Sequence, residues 1–279
     1  MSKRISMAMA VLGAVGTLTG CSLEQPAAGC FVQDSSTQYL WQAKYILKDP
    51  SQASLSCGKF KGEDMGVLKY ADPEASADVV AANQASRVGI RPRALAALTR
   101  ASYQVDRLDA DGKPVLDEDG KPVKDTINVD RIPAGTASSG SALSTTLAQQ
   151  PDDDGLCLAT GFNTATVAAA AAYKQEKHGG ALLAPAQTLS YTYENVEVYS
   201  APSAPGTQLR GTVKIDDGVC TAEYEMWALW PSRSCEPDEP LSSTNCGDAA
   251  NINPDFDVVC DPDIAKCVPA RRPPSFKNQ

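Results

Sequence analysis

Sulfur carries most of the chemistry open to this chain: nine cysteines stand against a single histidine, His178, in 279 residues. A thiol can ligate metal, attack an electrophile, accept an acyl group or pair as a disulfide, and spacing chooses among these. Zinc sites usually draw on closely spaced cysteine pairs with histidine partners, yet no Cys-x-x-Cys occurs. A nucleophilic thiol or hydroxyl needs a nearby base, and no cysteine or serine motif stands beside His178. Cys30, Cys57, Cys157, Cys220, Cys235, Cys246, Cys260 and Cys267 form an even set, which in an exported chain reads as a disulfide framework. Nearest-neighbour pairing is the simplest expectation: Cys30 with Cys57, Cys157 with Cys220, Cys235 with Cys246, and Cys260 with Cys267.

The ninth, Cys21, has a different setting. Lys3 and Arg4 open a leader, Ile5 to Leu18 is apolar or small without charge, and Leu18-Thr19-Gly20 closes it. That order is a secretory signal, and its run is shorter than the roughly 20 residues a membrane-spanning helix requires. Leu18-Thr19-Gly20-Cys21 resembles the lipobox of bacterial lipoproteins. The resemblance implies that residues 1–20 are removed and that Cys21 becomes a thioether-linked diacylglycerol anchor with further acyl chains such as palmitate. Several buried chains hold a protein on a membrane where one is marginal. Ser22, where an Asp would retain some lipoproteins, implies sorting to the outer membrane. Residues 22–29 lack a hydrophobic period and complete an anchor-and-tether segment, 21–29.

Carboxylates are the other reactive groups. Asp109, Asp111, Asp117 and Asp119 lie in two near-identical phrases, DADGKPV and DEDGKPV. A calcium loop wants a third Asp or Asn before its glycine and a bidentate Glu after it, so these read as solvated turns and no metal site or cofactor is assigned. Glu223 and Glu225 share one strand face, roughly 7 Å apart, a spacing within the range of glycosidase acid pairs. Trp227 lies beside them and offers a platform for sugar or peptide, or else a face covered by a neighbouring segment. Ser56-Cys57-Gly58-Lys59 matches Ser-x-x-Lys, but the companion motifs of penicillin-recognising enzymes are absent. No catalytic residue is assigned, and the expectation is a non-enzyme.

The elements that must hold these groups follow from periodicity. Asp34-Ser35-Ser36 caps an apolar pattern from Tyr39 to Leu47 that predicts a helix ending at Asp49-Pro50. Asp72-Pro73 predicts a helix over 74–87, and Arg91-Pro92 a second through Leu95 and Leu98, with Gly89 between. Alternation at Tyr103, Val105 and Arg107 predicts a strand leading into the Asp-Gly turns. Residues 135–144 read as a flexible loop, and Pro151 to Gly155 as a possible boundary. An alanine-rich helix capped by Asn163 or Thr164 is expected through Lys177, ended by Gly179-Gly180, with His178 in its last turn. Thr188 to Tyr199, Gln208 to Ile215 and Val219 to Trp230 read as strands, the last placing Cys220, Ala222, Tyr224, Met226, Ala228 and Trp230 on a core face. Past Pro231 periodicity fades and disulfides replace burial; the Arg271-Arg272-Pro273-Pro274 end reads as disordered.

These readings give an α+β fold: N-terminal helices, central loops and a hairpin, then a C-terminal antiparallel sheet with a disulfide-rich tail. Its divisions are 1–20, 21–29, a helical and hairpin region 30–155, a helix plus sheet 156–231, and a Cys-rich tail 232–279. The phrase CDPDIAKCV is similar to Cys-rich tails of surface proteins from myxobacteria. A formal net charge of −9, with only basic residues in the leader, excludes nucleic acid and a basic membrane patch. Two functions remain: a lipid-anchored outer-membrane lipoprotein serving as a structural or interaction subunit with an envelope protein partner, or a carbohydrate- or peptide-binding module using the Trp227 face. Carboxylate-based hydrolysis is a remoter variant of the second.

Overall fold

Residues 41–47 carry apolar side chains at both helical and strand spacing, and the fold uses the strand period. Trp41, Ala43 and Tyr45 are buried on one face of β1 (Trp41–Leu47), so the helix expected there is a strand. The computed structural model describes residues 29–71, 86–135 and 139–278. The leader, Cys21 and most of the helix expected over 74–87 lie outside these; Ser86 and Arg87 belong to a strand.

A hairpin of β2 (Gly62–Ala71) and β3 (Ser86–Pro92) follows, then a six-residue helix, α1 (Arg93–Leu98), where Arg91-Pro92 predicted one. Strands β4 (Arg100–Asp106) and β5 (Lys124–Asp130) form a separate ribbon. Next come β6 (Ala142–Leu143), β7 (Thr146–Leu147), β8 (Leu156–Thr160) and β9 (Ala165–Ala169), and a small pair, β10 (Ala172–Tyr173) with β11 (Leu182–Ala184). The long strands β12 (Gln187–Tyr199), β13 (Gln208–Asp216) and β14 (Thr221–Leu229) fall where the sequence placed them. A tail hairpin, β15 (Val258–Asp261) with β16 (Lys266–Pro269), ends the series.

The main sheet runs β6-β3-β2-β1-β14-β13-β12-β8-β7, with β9 also on β12. Its two ends are one stretch of chain. β6 pairs with β3, while β7, three residues on, pairs with β8, and Ser139 bridges Thr166 beside β9. The sheet therefore closes into an antiparallel barrel of eight strand positions, which removes its edges. Segments 30–155 and 156–231 both contribute strands to it.

Barrel closure overrides two local preferences. The alanine run expected to be helical forms β9, with Ala165, Val167 and Ala169 buried at period two; small side chains fit where Leu189, Tyr191 and Tyr193 of β12 fill the interior. Helix propensity is a few tenths of a kcal/mol per residue against the whole ladder. Part of the 135–144 stretch, expected to be a loop, becomes β6. In β12, Asn195 (φ 50°) sits in a bulge between Glu194 and Glu197, so that inward residues shift from 189, 191 and 193 to 196 and 198.

The tail packs outside the barrel around Leu229, Cys235, Cys246, Ile252, Phe256, Val258 and Cys267. The end expected to be disordered is ordered: Ser275 is buried, its N–H donates to Gln208 Oε1 at 2.8 Å, and its carbonyl accepts from Gln208 Nε2 at 3.2 Å.

Sequence separation misleads for the cysteines too. The bonds are Cys30–Cys157, Cys57–Cys220, Cys235–Cys260 and Cys246–Cys267, so none of the four nearest-neighbour pairs forms. Cys260 and Cys267 do stand opposite one another in the tail hairpin, but each bonds a cysteine from the preceding loop. Cys57 lies in a tight turn whose Gly58 leaves no room for a side chain: a Cβ there would sit 1.9 Å from the Gln52 carbonyl oxygen. Gly58→Ala should cost about 2 kcal/mol, read as a lower urea midpoint at unchanged slope.

Candidate functional site

The outer face of β14 holds the acids and indole singled out above. Leu229 is completely buried beneath the tail. Two residues back, Trp227 is half-buried with its indole Nε1 sealed from solvent and without a hydrogen-bond partner. Its cross-strand neighbour Lys44 reaches Asp261 of the tail hairpin at 2.8 Å, and its other neighbour Arg210 is held by Glu197 at 2.6 Å and by the Pro273 carbonyl at 2.9 Å. Glu225 takes Arg272 of the tail at 2.9 Å, and Glu223 takes Lys48 at 2.5 Å.

This face therefore binds the protein's own tail. The Lys48 hydrogen bond holds the Glu223 carboxyl below its ordinary range, which suits an ion-pair partner and not a general acid. A shallow groove of about 440 Å³ beside Glu225 is lined by Lys48, Asn195, Glu197 and Arg272 among others, and Trp227 is not part of it.

The Asp-Gly phrases form turns. Asp109 Oδ1 accepts from the backbone N–H groups of Asp111 and Lys113, and Asp117 Oδ1 does the same for Asp119 and Lys121. Each carboxylate thus closes its own loop at the tip of the β4–β5 ribbon. His178 ends a short 3-10 turn, its ring 5.8 Å from that of Tyr103. Among the described residues, the one convergence of three potential ligand atoms is the Cys235, Cys246 and Cys267 sulfurs, all within 4.8 Å, and these belong to the two tail disulfides. The Ser56–Lys59 stretch is the tight turn that carries Cys57.

The residue that sequence reasoning missed is Glu63. It lies at the start of β2 in a run of charged and small residues, and the one signal that marks it as inward-facing is its period-two phase with Met65 and Val67. Its Oε1 accepts from Tyr191 at 2.7 Å and from Tyr45 at 3.1 Å, and its Oε2 accepts from the Ala94 N–H at 2.7 Å. Pro92 offers α1 no side-chain cap, so this carboxyl supplies an acceptor to a helix N-terminus that would otherwise lack one. Leu95, one turn in, is fully buried in the core, making α1 a plug at one mouth of the barrel. Burial pushes the Glu63 carboxyl up despite those three donors, and burial together with Glu63 raises Tyr45 and Tyr191 as well. The Tyr193 hydroxyl, facing Tyr45, is buried without a hydrogen bond of good geometry. The cluster's geometry is that of a structural latch between the barrel wall and its plug.

A barrel stapled by long-range disulfides, with a cross-linked tail on its outer face, is what the comparisons with known proteins must place. The MlpA family profile matches residues 39–231, from just before β1 to just after β14, so the matched unit is the barrel. The Myxococcus xanthus protein named "Putative lipoprotein MlpA" is 34% identical over 282 residues, covering 98% of this chain and 98% of that protein. The chain belongs to the MlpA family. No solved structure matches it.

Proposed function

We propose that the protein is an outer-membrane lipoprotein held through acylated Cys21, serving as a structural or interaction subunit that meets an envelope protein partner and performs no catalysis. The observation that carries this reading is the end-to-end similarity to a Myxococcus lipoprotein, joined to the Leu18–Cys21 lipobox. Among the described residues no helix is long and apolar enough to cross a membrane, which is in keeping with attachment by lipid. The ion-paired state of Glu223 and Glu225 supports a non-catalytic role, and the tail contacts that engage Lys44, Arg210 and Glu225 around Trp227 weigh against a carbohydrate or peptide platform there.

The test is Cys21→Ala in the native cell, followed by labelling with a fatty-acid analogue and density fractionation of the membranes. The expected result is loss of label and release from the outer-membrane fraction. Label that persists in the variant, or parent protein that fractionates elsewhere, would sink the proposal. Capture of the parent from its own membranes then identifies the partner.

A further inference from the structure

The anchor fixes which end of the barrel can meet the bilayer. Cys30 is bonded to Cys157 and its N–H donates to the Gln149 carbonyl at 2.9 Å, so the tether enters the fold at one pole. The ends of β7, β12 and β14, the end of β2 and the start of β3 lie at this pole. α1, the β4–β5 ribbon and the Asp216–Gly218 turn lie at the other, as the strand registers require. From Cys21 to Cys30 the fully extended chain spans at most about 30 Å. The thirteen residues of β12, which run pole to pole, cover about 43 Å along the strand, and about 33 Å along the axis of a barrel whose strands tilt by roughly 40°. Even stretched straight along the wall, the tether could do no more than reach the far pole.

The anchored pole carries exposed aromatic rings. Phe31 is 46% exposed, Tyr70 45% and Tyr39 36%, and Trp230 packs edge-on against Tyr39 at 6.0 Å. The Phe31 backbone is fixed by its N–H donating to Ser200 Oγ at 2.7 Å and by its close approach to Gly206, where a Cβ would sit 2.6 Å from the Phe31 carbonyl oxygen. Tyr and Trp rings, apolar with a polar edge, favour the headgroup layer, and Phe adds apolar area at its boundary with the acyl chains. Asp152, Asp153 and Asp154 share this pole, and would be repelled by anionic headgroups. The ribbon at the far pole ends in Asp109, Asp111, Asp117, Glu118 and Asp119.

We propose that the Cys30 pole lies against a zwitterionic lipid surface, with Phe31 and Tyr70 in the headgroup layer, so that the plug and the β4–β5 ribbon point away from the membrane. The orientation rests on anchoring at Cys21. It presents Leu108 and Leu116, 57% and 56% exposed on the ribbon, to whatever lies beyond the surface.

Acylated full-length protein reconstituted in phosphatidylcholine vesicles, with or without bromine on the acyl chains near the headgroup, tests it. Phe31→Trp and Tyr70→Trp place a reporter at the anchored pole, and Leu116→Trp places one on the ribbon; each is read as emission added to that of the parent. The expected result is that bromine removes the added emission at positions 31 and 70 and leaves that at 116 intact. Quenching at all three positions, at 116 alone or at none, with the protein still floating with the vesicles, overturns the orientation and leaves the anchor standing. Failure of the acylated parent to float would overturn the anchor reading and this orientation with it.

Discussion

Replacing Cys57 and Cys220 together by alanine will lower the unfolding free energy by about 5 kcal/mol. The two residues are 163 positions apart, and joining them removes a large share of the conformations open to the unfolded chain. The native state is ready for the bond without it: Cys57 is fully buried, its carbonyl accepts from the Tyr224 hydroxyl, and β1 and β14 are already paired next to it. The loss should therefore come mainly from the unfolded side. Removing Cys246 and Cys267, which close a loop of separation 21, should cost less, about 3 kcal/mol. Urea unfolding without reductant measures both. A loss under about 1 kcal/mol for the long bridge would contradict the chain-entropy account, and the slope should rise in the variant as its unfolded chain expands.

That long bridge also shows which parts of the fold were legible in the sequence. An even cysteine count in an exported chain implied disulfides, but partners were assigned by nearness along the chain, and barrel closure brings together residues that are far apart in it. Strands β12 to β14 were readable because Tyr and Val alternate with polar residues and Asp216-Asp217-Gly218 supplies the turn. Both patterns are local. β1 was misread because Tyr39, Leu40, Ala43, Ile46 and Leu47 do fit a helical face. The decisive residues were Trp41 and Tyr45, whose burial depends on β2 and β14. Alanine in β9 favours a helix by propensity, but its small volume is the property the barrel uses.

On the outer face of β14 the alternation was correct, but what covers it lies forty residues further on: the Gln208 amide and the Arg210 guanidinium order a terminal segment that looks flexible by composition. The inward side of the barrel is the complement of this. Its apolar members follow the period, and Glu63 keeps that period with Met65 and Val67 on β2; it is the charge at an inward position that only its partners on β1, β12 and α1 explain.

Glu63 should contribute to the pH dependence of this barrel's stability with a sign opposite to that of the surface acids. Its carboxyl is raised by burial, so between the ordinary carboxylate pKa and the raised folded value the native state holds more protons than the unfolded one. The stabilising contribution is complete below the unfolded pKa and is lost as pH rises through the folded one. Asp125 and Glu223, held low by hydrogen bonds from Arg107 and Lys48, act in the reverse direction, so the measurement must be a difference between the wild type and a Glu63 variant. Glu63→Gln removes the titration. Wild-type stability minus that of the variant should therefore fall as pH rises across the window, and a difference that is flat or grows with pH would refute the assignment. Glu63→Ala tests the latch itself. Without the carboxyl, the Ala94 N–H and the Tyr45 and Tyr191 hydroxyls lose their acceptor in a buried setting. An orphaned buried donor costs roughly 1–3 kcal/mol, and the two hydroxyls can turn in part toward Tyr193, so the expected loss is about 3 kcal/mol. Because α1 depends on this acceptor for its first turn, amide hydrogen exchange over 93–98 should accelerate more than exchange in β13 or β14. Uniform acceleration across the barrel would mean that Glu63 supports the wall and not the plug.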